Sequence, residues 1–445
     1  MRSSSNPWTE RFLALLDRDE IARRAAVQPE PLGDLSAVPL SQAKKLIRDQ
    51  LERVFYPTAQ CVDILQGWIS LSYRHCLDYY LDATCFLEQL NDDASRFPAS
   101  VPLICLTGLA GAGKTELVKA LRRILPPDSQ LTVSPDYPAI PLRTLWTATV
   151  NAGANVVGLL SQFTQCPGTV KELIGTCRHL AYRDGVAMAV ADELQFASGS
   201  SKANTLVTQI LLALTYLGLP AAFVANYSLV HRLLRRPHED RHRLLSRPVV
   251  LLPEAADSSD WTGVLQAQVQ ALPRTLAFDP IADAAAVHRY CAADLRAEVA
   301  LLVSAFELST RAGRQVGLRE IEAAYRSTGY SVYRDDVEAL MLLSLADNRA
   351  RRKRPDLVCP FDLPPTATAR FVQQSQRSRQ NRADEQALRS ALTADERTAL
   401  ASLEKSRRRA GHLPPEAVVT PSKKSVAPTA QELAGRLRRF SDRLT

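Results

Sequence analysis

The sequence predicts an α/β protein: a largely parallel sheet flanked by helices, helical regions on either side of it, and a partly disordered basic tail. Three observations carry this expectation. Between residues 99 and 255, short apolar runs alternate with longer amphipathic ones, as in repeated strand–helix units. The segment GLAGAGKT (Gly108–Thr115) sits between a strand-like run, VPLICLT, and a helix-like one, ELVKALRRIL. The chain has 445 residues, 46% hydrophobic and 23% charged, which is material for more than one domain.

Taken in order, residues 1–98 read as a helical N-terminal region. Arg11–Ala25 and Ser41–Arg53 have helix-like composition, and Thr58–Gln89 is a long aromatic-containing pattern. The α/β region, 99–255, offers five strands at 101–107, 144–150, 186–191, 221–225 and 249–252. Its most membrane-like run, ILLALTYLGLPAAFVA (Ile210–Ala225), is short of a span and is broken by Gly218 and Pro220. A buried helix, a turn and a buried strand fit it better. Residues 256–349 read as a helical lid. Residues 350–445 are punctuated by proline and by a Gln/Arg/Ser stretch, with one short helix expected near Ala430–Arg439. The polar start, MRSSSNPWTERF, has no apolar signal core, and the eight cysteines form no CxxC pair. Reduced thiols in a cytoplasmic protein are therefore expected, and no zinc ribbon.

Charge is concentrated at one end. Residues 349–445 hold 21 Lys+Arg against 10 Asp+Glu, a net of +11 where the whole chain has +8. A basic tail on a slightly acidic body points to a polyanion or an acidic partner protein, with a merely solvated tail as the alternative.

GLAGAGKT satisfies the phosphate-loop pattern completely. The small residues of Gly108, Leu109, Ala110, Gly111, Ala112 and Gly113 let the backbone curl so that successive N–H groups face a phosphate, at the start of a helix that continues through Glu116. Lys114 is placed to reach the β- and γ-phosphates of ATP, and Thr115 to ligate Mg²⁺. Further on, the apolar run VAMAVA ends in Asp192 and Glu193. An Asp at the carboxyl end of a neighbouring strand can hold Mg²⁺ through water, and the adjacent Glu can polarise an attacking water. This pair favours hydrolysis over binding alone. AAFVAN ends another strand in Asn226, which either orients that water or simply caps the strand.

One competing motif is HEDRH (His238–His242), which matches the HExxH zinc pattern. It lies within LLRRPHEDRHRLLSRP, where Pro237 precedes the first histidine and charge covers every face. A metalloprotease helix is largely buried, so a zinc hydrolase is disfavoured.

With these motifs in place, the chain resembles the AAA+ ATPases, and within them the TnsC/TniB group of transposition regulators. The residues behind the resemblance are GLAGAGKT, VADELQFA, LGLPAAFVAN, VFYPTAQCVDIL, YRHCLDYY, NAGANVVGLLSQF and RHRLLSRPVVLLPE, spread over roughly residues 50–345. The resemblance implies an ATPase that forms rings or filaments on double-stranded DNA when ATP is bound. It would link a target-selector protein to transposase subunits, with hydrolysis driving disassembly. It also implies roles for particular residues. Asn226 would be the first sensor, and Arg296 the second, although the glycine usual before it is absent and an exposed helical arginine is an equal reading. Arg243, then Arg241, with Arg247 as a further candidate, would reach the γ-phosphate of a neighbouring subunit, with a solvated basic turn as the alternative reading. Lys171 and Lys202 are the candidates for DNA contact, each equally readable as a solvated lysine. RRKR (Arg351–Arg354), KSRRR and RLRRF in the tail would add DNA affinity or dock a transposase subunit. An origin-recognition-like loader or a signalling NTPase remains the alternative.

Overall fold

A computed structural model describes residues 6–90, 97–150, 155–194, 203–343 and 354–362. The N-terminal region is helical but more finely divided than its sequence pattern. Helix α1 (Pro7–Glu10) opens on Asn6, whose side chain accepts from the amides of Trp8 and Thr9. Asp17 then leaves the helical conformation and caps α2 (Arg18–Ala25), so Arg11–Ala25 is not one helix. After α3 (Leu40–Arg53), Thr58 caps α4 (Ala59–Tyr79), and α5 follows at Ala83–Leu90. The expected continuous pattern over Thr58–Gln89 is interrupted at Tyr80, whose ring is buried in a stack with Trp8 and Tyr182. Asp82 restarts the helix by accepting the Cys85 amide at 2.8 Å.

The central part follows as β1 (Ile104–Gly108), α6 (Lys114–Ile124), β2 (Ser129–Leu131), β3 (Ile140–Leu142), β4 (Leu145–Thr149), α7 (Val156–Thr164) and α8 (Val170–Arg183). Then come β5 (Met188–Asp192), α9 (Ala203–Thr215), β6 (Ala221–Asn226), α10 (Tyr227–Leu233), α11 (His238–Leu245) and β7 (Arg247–Leu251). Five strands form one sheet in the order β4-β5-β6-β1-β7, with every pairing parallel. Strands β1 and β5 are buried along their whole length, and β6 up to its last residue, which explains their unbroken apolar sequence. The antiparallel pair β2–β3 escapes sequence reasoning because it is three residues long and largely unburied on β2. The apolar run at 210–225 is the end of α9, a turn with Gly218 at φ +76°, and β6. Among the described residues no helix is long and apolar enough to cross a membrane.

The helical lid comprises α12 (Ser259–Ala271), α13 (Ala284–Cys291), α14 (Leu295–Arg311), α15 (Leu318–Arg326) and α16 (Ser331–Leu343). It has its own apolar cluster around Trp261, Leu265, Leu301 and Tyr330. The N-terminal region is shared between the two bodies. Trp8, Phe12, Leu65 and Trp68 pack on the sheet, whereas Ile47 and Leu51 of α3 pack in the lid, where Lys44 also pairs with Glu307 at 2.6 Å. A third, small cluster of Leu109, Tyr227, Ala292, Val337 and Leu340 joins lid to sheet. Residues 354–362 lie on it: Leu357 and Cys359 pack there, and His231 Nε2 meets the Val358 carbonyl at 2.9 Å. Arg354 pairs with Asp336 of α16 at 2.6 Å. A five-stranded parallel sheet with β6 inserted between the phosphate-loop strand and the strand of the acidic pair, followed by a helical body, is the α/β architecture expected from the sequence. The helix expected at 430–439, Lys202, KSRRR and RLRRF lie outside the described residues.

Candidate nucleotide site

Parallel strands bring their carboxyl ends to one edge, and three of the candidates stand there. In the β1–β6 register Gly108 lies opposite Asn226, and in the β4–β5 register Thr149 lies opposite Asp192. A cleft of about 760 Å³ opens over this edge, roughly the size that encloses a nucleotide-sized ligand. It is lined by Ala110 through Glu116, by Asp192, Glu193 and Asn226, and by Leu295 and Arg296 of the lid. Residues scattered over more than 180 positions of sequence are thereby gathered at one site.

The phosphate loop curls as its glycines allow. Gly111 and Gly113 have φ +85° and +88°, a region that residues with a Cβ rarely adopt, and Gly113 is the cap of α6. Lys114 is 9% exposed and donates from Nζ to the carbonyls of Gly108 at 3.0 Å and Leu109 at 2.5 Å. Burial lowers its pKa to about 8, against the opposing pull of Asp294, Asp192 and Glu193. The ammonium is thus folded back onto its own loop, ready to exchange two carbonyls for phosphate oxygens.

Asp192 is buried at the end of β5, and its carbonyl accepts from the Val150 amide at 3.0 Å. Its side chain accepts from the Glu193 amide at 2.7 Å. That bond holds Glu193 at φ +63°, a left-handed conformation costing a non-glycine residue about 1–3 kcal/mol. The Glu193 carboxyl has a raised pKa, chiefly from desolvation and then from Asp192, with Arg296 and Lys114 pulling the other way. A carboxyl tuned upward beside a phosphate loop is suited to accept a proton from water. Thr115 and Asp192 fit Mg²⁺, a cation that takes few protein ligands and completes its shell with water and phosphate oxygens.

Asn226 accepts the Leu229 amide at 3.1 Å through Oδ1 and so caps α10. The bond caps a helix and not the strand, and what remains for the cleft is the side-chain amide's N–H donors. Arg296 is exposed on the first turn of α14, on the cleft's rim and within electrostatic reach of Lys114 and Glu193.

The arginines near HEDRH stand elsewhere. Arg243 donates to the Tyr216 hydroxyl at 3.3 Å, its carbonyl accepts from Leu103 at 3.2 Å, and Arg247 pairs with Ile104 at the amino end of β1. Neither they nor Arg241 line the cleft. Four residues of strand, roughly 13 Å, separate that end from the phosphate loop. The His238 and His242 ring centroids lie 4.0 Å apart with the rings tilted by 35°, but among the described residues no group of three His, Cys, Asp or Glu could hold a metal ion. Lys171 is exposed near the start of α8, away from the cleft.

Several cleft residues were not foreseen. The N-terminal region supplies Arg48, Leu51, Phe55, Tyr56 and Thr58, the loop after β7 supplies Pro253 and Glu254, and the lid supplies Val264, Val299 and Tyr333. The string VFYPT, a hydrophobic–aromatic run closed by Pro-Thr before a helix, was the available signal for the first group. Asp294 was also missed, although an Asp three residues before Ala297 is an N-cap signature, and it does accept that amide at 2.8 Å.

No family model matches this chain, and no curated protein matches it. Solved structures similar to it include the ORC1 protein of Aeropyrum pernix in complex with DNA, at 18% identity, covering 62% of this chain and 77% of that one, with a TM-score of 0.34. PCH-2 of C. elegans is 14% identical, with 66% and 73% covered and a TM-score of 0.36. Domain III of the Thermotoga maritima replication initiation protein DnaA is 16% identical, with 54% and 88% covered and a TM-score of 0.29. Likeness at this level does not speak to activity, partners or substrate.

Proposed function

We propose that this chain is an ATPase that assembles on double-stranded DNA and regulates transposition. The observation that supports ATP hydrolysis is the gathering of Lys114, Thr115, Asp192, Glu193 and Asn226 on one edge of the sheet, under a lid that presents Arg296. Lys114 and the loop amides bind the β- and γ-phosphates, and Glu193 takes a proton from the water that attacks the γ-phosphorus. The amide of Asn226 donates to that water or to a γ-oxygen. Thr115 and Asp192 would hold Mg²⁺, which would supply charge neutralisation on the phosphates. The apolar part of the cleft, with Leu51, Phe55, Tyr56 and Val264, suits a purine ring. Arg243, Arg241 and Arg247 lie remote from their own cleft, an arrangement that agrees with the role at a neighbour's cleft that the sequence resemblance implies.

The DNA and transposition parts rest on the basic tail and on the sequence resemblance. Sequence-independent phosphate contacts would make DNA binding strongly salt-dependent. The test is to mix the protein with duplex DNA and either ATP or a non-hydrolysable analogue, and to image the product by electron microscopy. Rings or filaments that need the nucleotide are expected. ATP hydrolysis without any assembly on DNA would instead favour a signalling NTPase.

A further inference from the structure

A carboxylate lies against the phosphate loop, where an anion-binding site would be expected to hold only anions from outside. Asp294, the cap of α14, lies directly against Gly111: a Cβ on that glycine would run into its carboxyl group, with the carboxyl carbon only 2.8 Å away. The next residue repeats the contact one step along, since a Cβ on Gly113 would be 3.2 Å from Leu295 Cδ1. The first turn of the lid's α14 is therefore seated on both left-handed glycines of the phosphate loop. Lys114 and Arg296 lie within electrostatic reach of this carboxylate, so the cations meant for phosphate already face an anion. Desolvation raises the Asp294 pKa, which means that its charge is held there at a cost.

The backbone leading to this carboxylate is also under load. Ala292 and Ala293 both have left-handed φ, +53° and +55°, in succession. An L-residue other than glycine is unfavourable in that region, and two in a row persist only where surrounding packing imposes them. Ala292 is buried in the small cluster with Leu109, Tyr227, Val337 and Leu340, which supplies that packing. The joint between α13 and α14 is thus bent into a conformation that brings Asp294 into the loop.

We propose that Asp294 is a built-in phosphate surrogate: its carboxyl group lies against Gly111 of the phosphate loop, and nucleotide displaces it by turning α14 about the Ala292–Ala293 joint. This inference rests on the ATP-binding reading of the same site. A β-phosphate and the Asp294 carboxylate repel each other in a half-buried cleft, so both cannot remain against Gly111. Nucleotide affinity is lowered by the work of expelling the carboxylate, and lid position becomes a direct report of phosphate occupancy.

Asp294→Asn tests this, because asparagine caps a helix as well as aspartate and removes only the charge. Affinities for ATP, ADP and adenosine are measured for the full chain by calorimetric titration, alongside thermal melts without nucleotide. The variant should melt within a few degrees of the wild type and bind ATP and ADP roughly tenfold tighter, as expected for one like charge removed at close range. Adenosine, which carries no phosphate, should bind equally to both. Unchanged ATP affinity, or an equal gain for adenosine, overturns the proposal. Ala293→Gly probes the joint independently. Glycine relieves the strain of the closed form, so ATP should bind several-fold more weakly, and equal or tighter binding removes the joint from the device. If the wild type binds adenosine but neither chain discriminates ATP from it, the phosphate-site reading falls together with the surrogate.

Discussion

Replacing Lys114 by methionine separates what this side chain does in the empty protein from what it does with ATP. Burial of the ammonium lowers its pKa from 10.5 to about 8, a differential of about 3 kcal/mol against the charged form. Below pH 8 the lysine is charged both folded and unfolded, so that cost is present in full. Between pH 8 and 10.5 the unfolded chain binds the proton and the folded one does not, so wild-type stability rises with pH across that window. Lys114→Met keeps the stem's volume and removes the charge. At pH 7 the nucleotide-free variant should therefore melt at or above the wild type, by a few degrees at most for a domain this large. Its melting temperature should also lack the wild type's rise between pH 8 and 10. ATP affinity should move the opposite way. Loss of charge-assisted bonds to phosphate, at about 1.5–3 kcal/mol each, weakens binding at least tenfold. Differential scanning fluorimetry across pH and titration with a fluorescent ATP analogue read the two effects. A variant that melts well below the wild type, or that binds ATP equally well, would refute the assignment of Lys114 as a buried cation waiting for phosphate.

Glu193→Gln should retain ATP binding while turnover falls by about 100-fold or more, and an unchanged rate of phosphate release would remove Glu193 as the base. Arg243→Ala should abolish ATP hydrolysis alone but regain part of it when mixed with Lys114→Met, since each supplies what the other lacks across an interface. No regain on mixing, with full loss in each, would argue against action in trans. Glu298 is fully buried, accepts from Gln268 Nε2 at 3.0 Å, and has its pKa raised to about 8 by desolvation. Its cost to stability is absent below pH 4.5 and grows as pH rises towards 8, so Glu298→Gln should stabilise the protein at pH 7 by up to about 3 kcal/mol and flatten that dependence. A lower melting temperature for this variant at pH 7 would show that the carboxylate is paired in a way its surroundings do not indicate.

The sheet was legible because its strands are buried on both faces, and such strands are written as unbroken apolar runs. The phosphate loop and the acidic pair were legible because their chemistry requires particular residues at fixed spacing. What sequence did not disclose is of two kinds. The helix break at Tyr80 depends on tertiary partners: its ring is taken up by Trp8 and Tyr182, which are 72 and 102 positions away. The remaining walls of the cleft come from chain segments that meet only in the fold. Glu254 and Tyr333 are ordinary residues in their local context, and nothing in their spacing marks them. Asp294 had a visible signature as a helix cap, but its second contact, with Gly111, is a property of how the lid sits on the sheet.

The small cluster joining lid and sheet has five buried members, whereas the two bodies it connects each hold many more. Apolar area sets the work of separation, so this junction opens at a lower free energy than either body unfolds. Residues 354–362 are seated on that junction, so a contact made at these residues bears on the cluster that holds Leu109 of the phosphate loop and Ala292 of the joint.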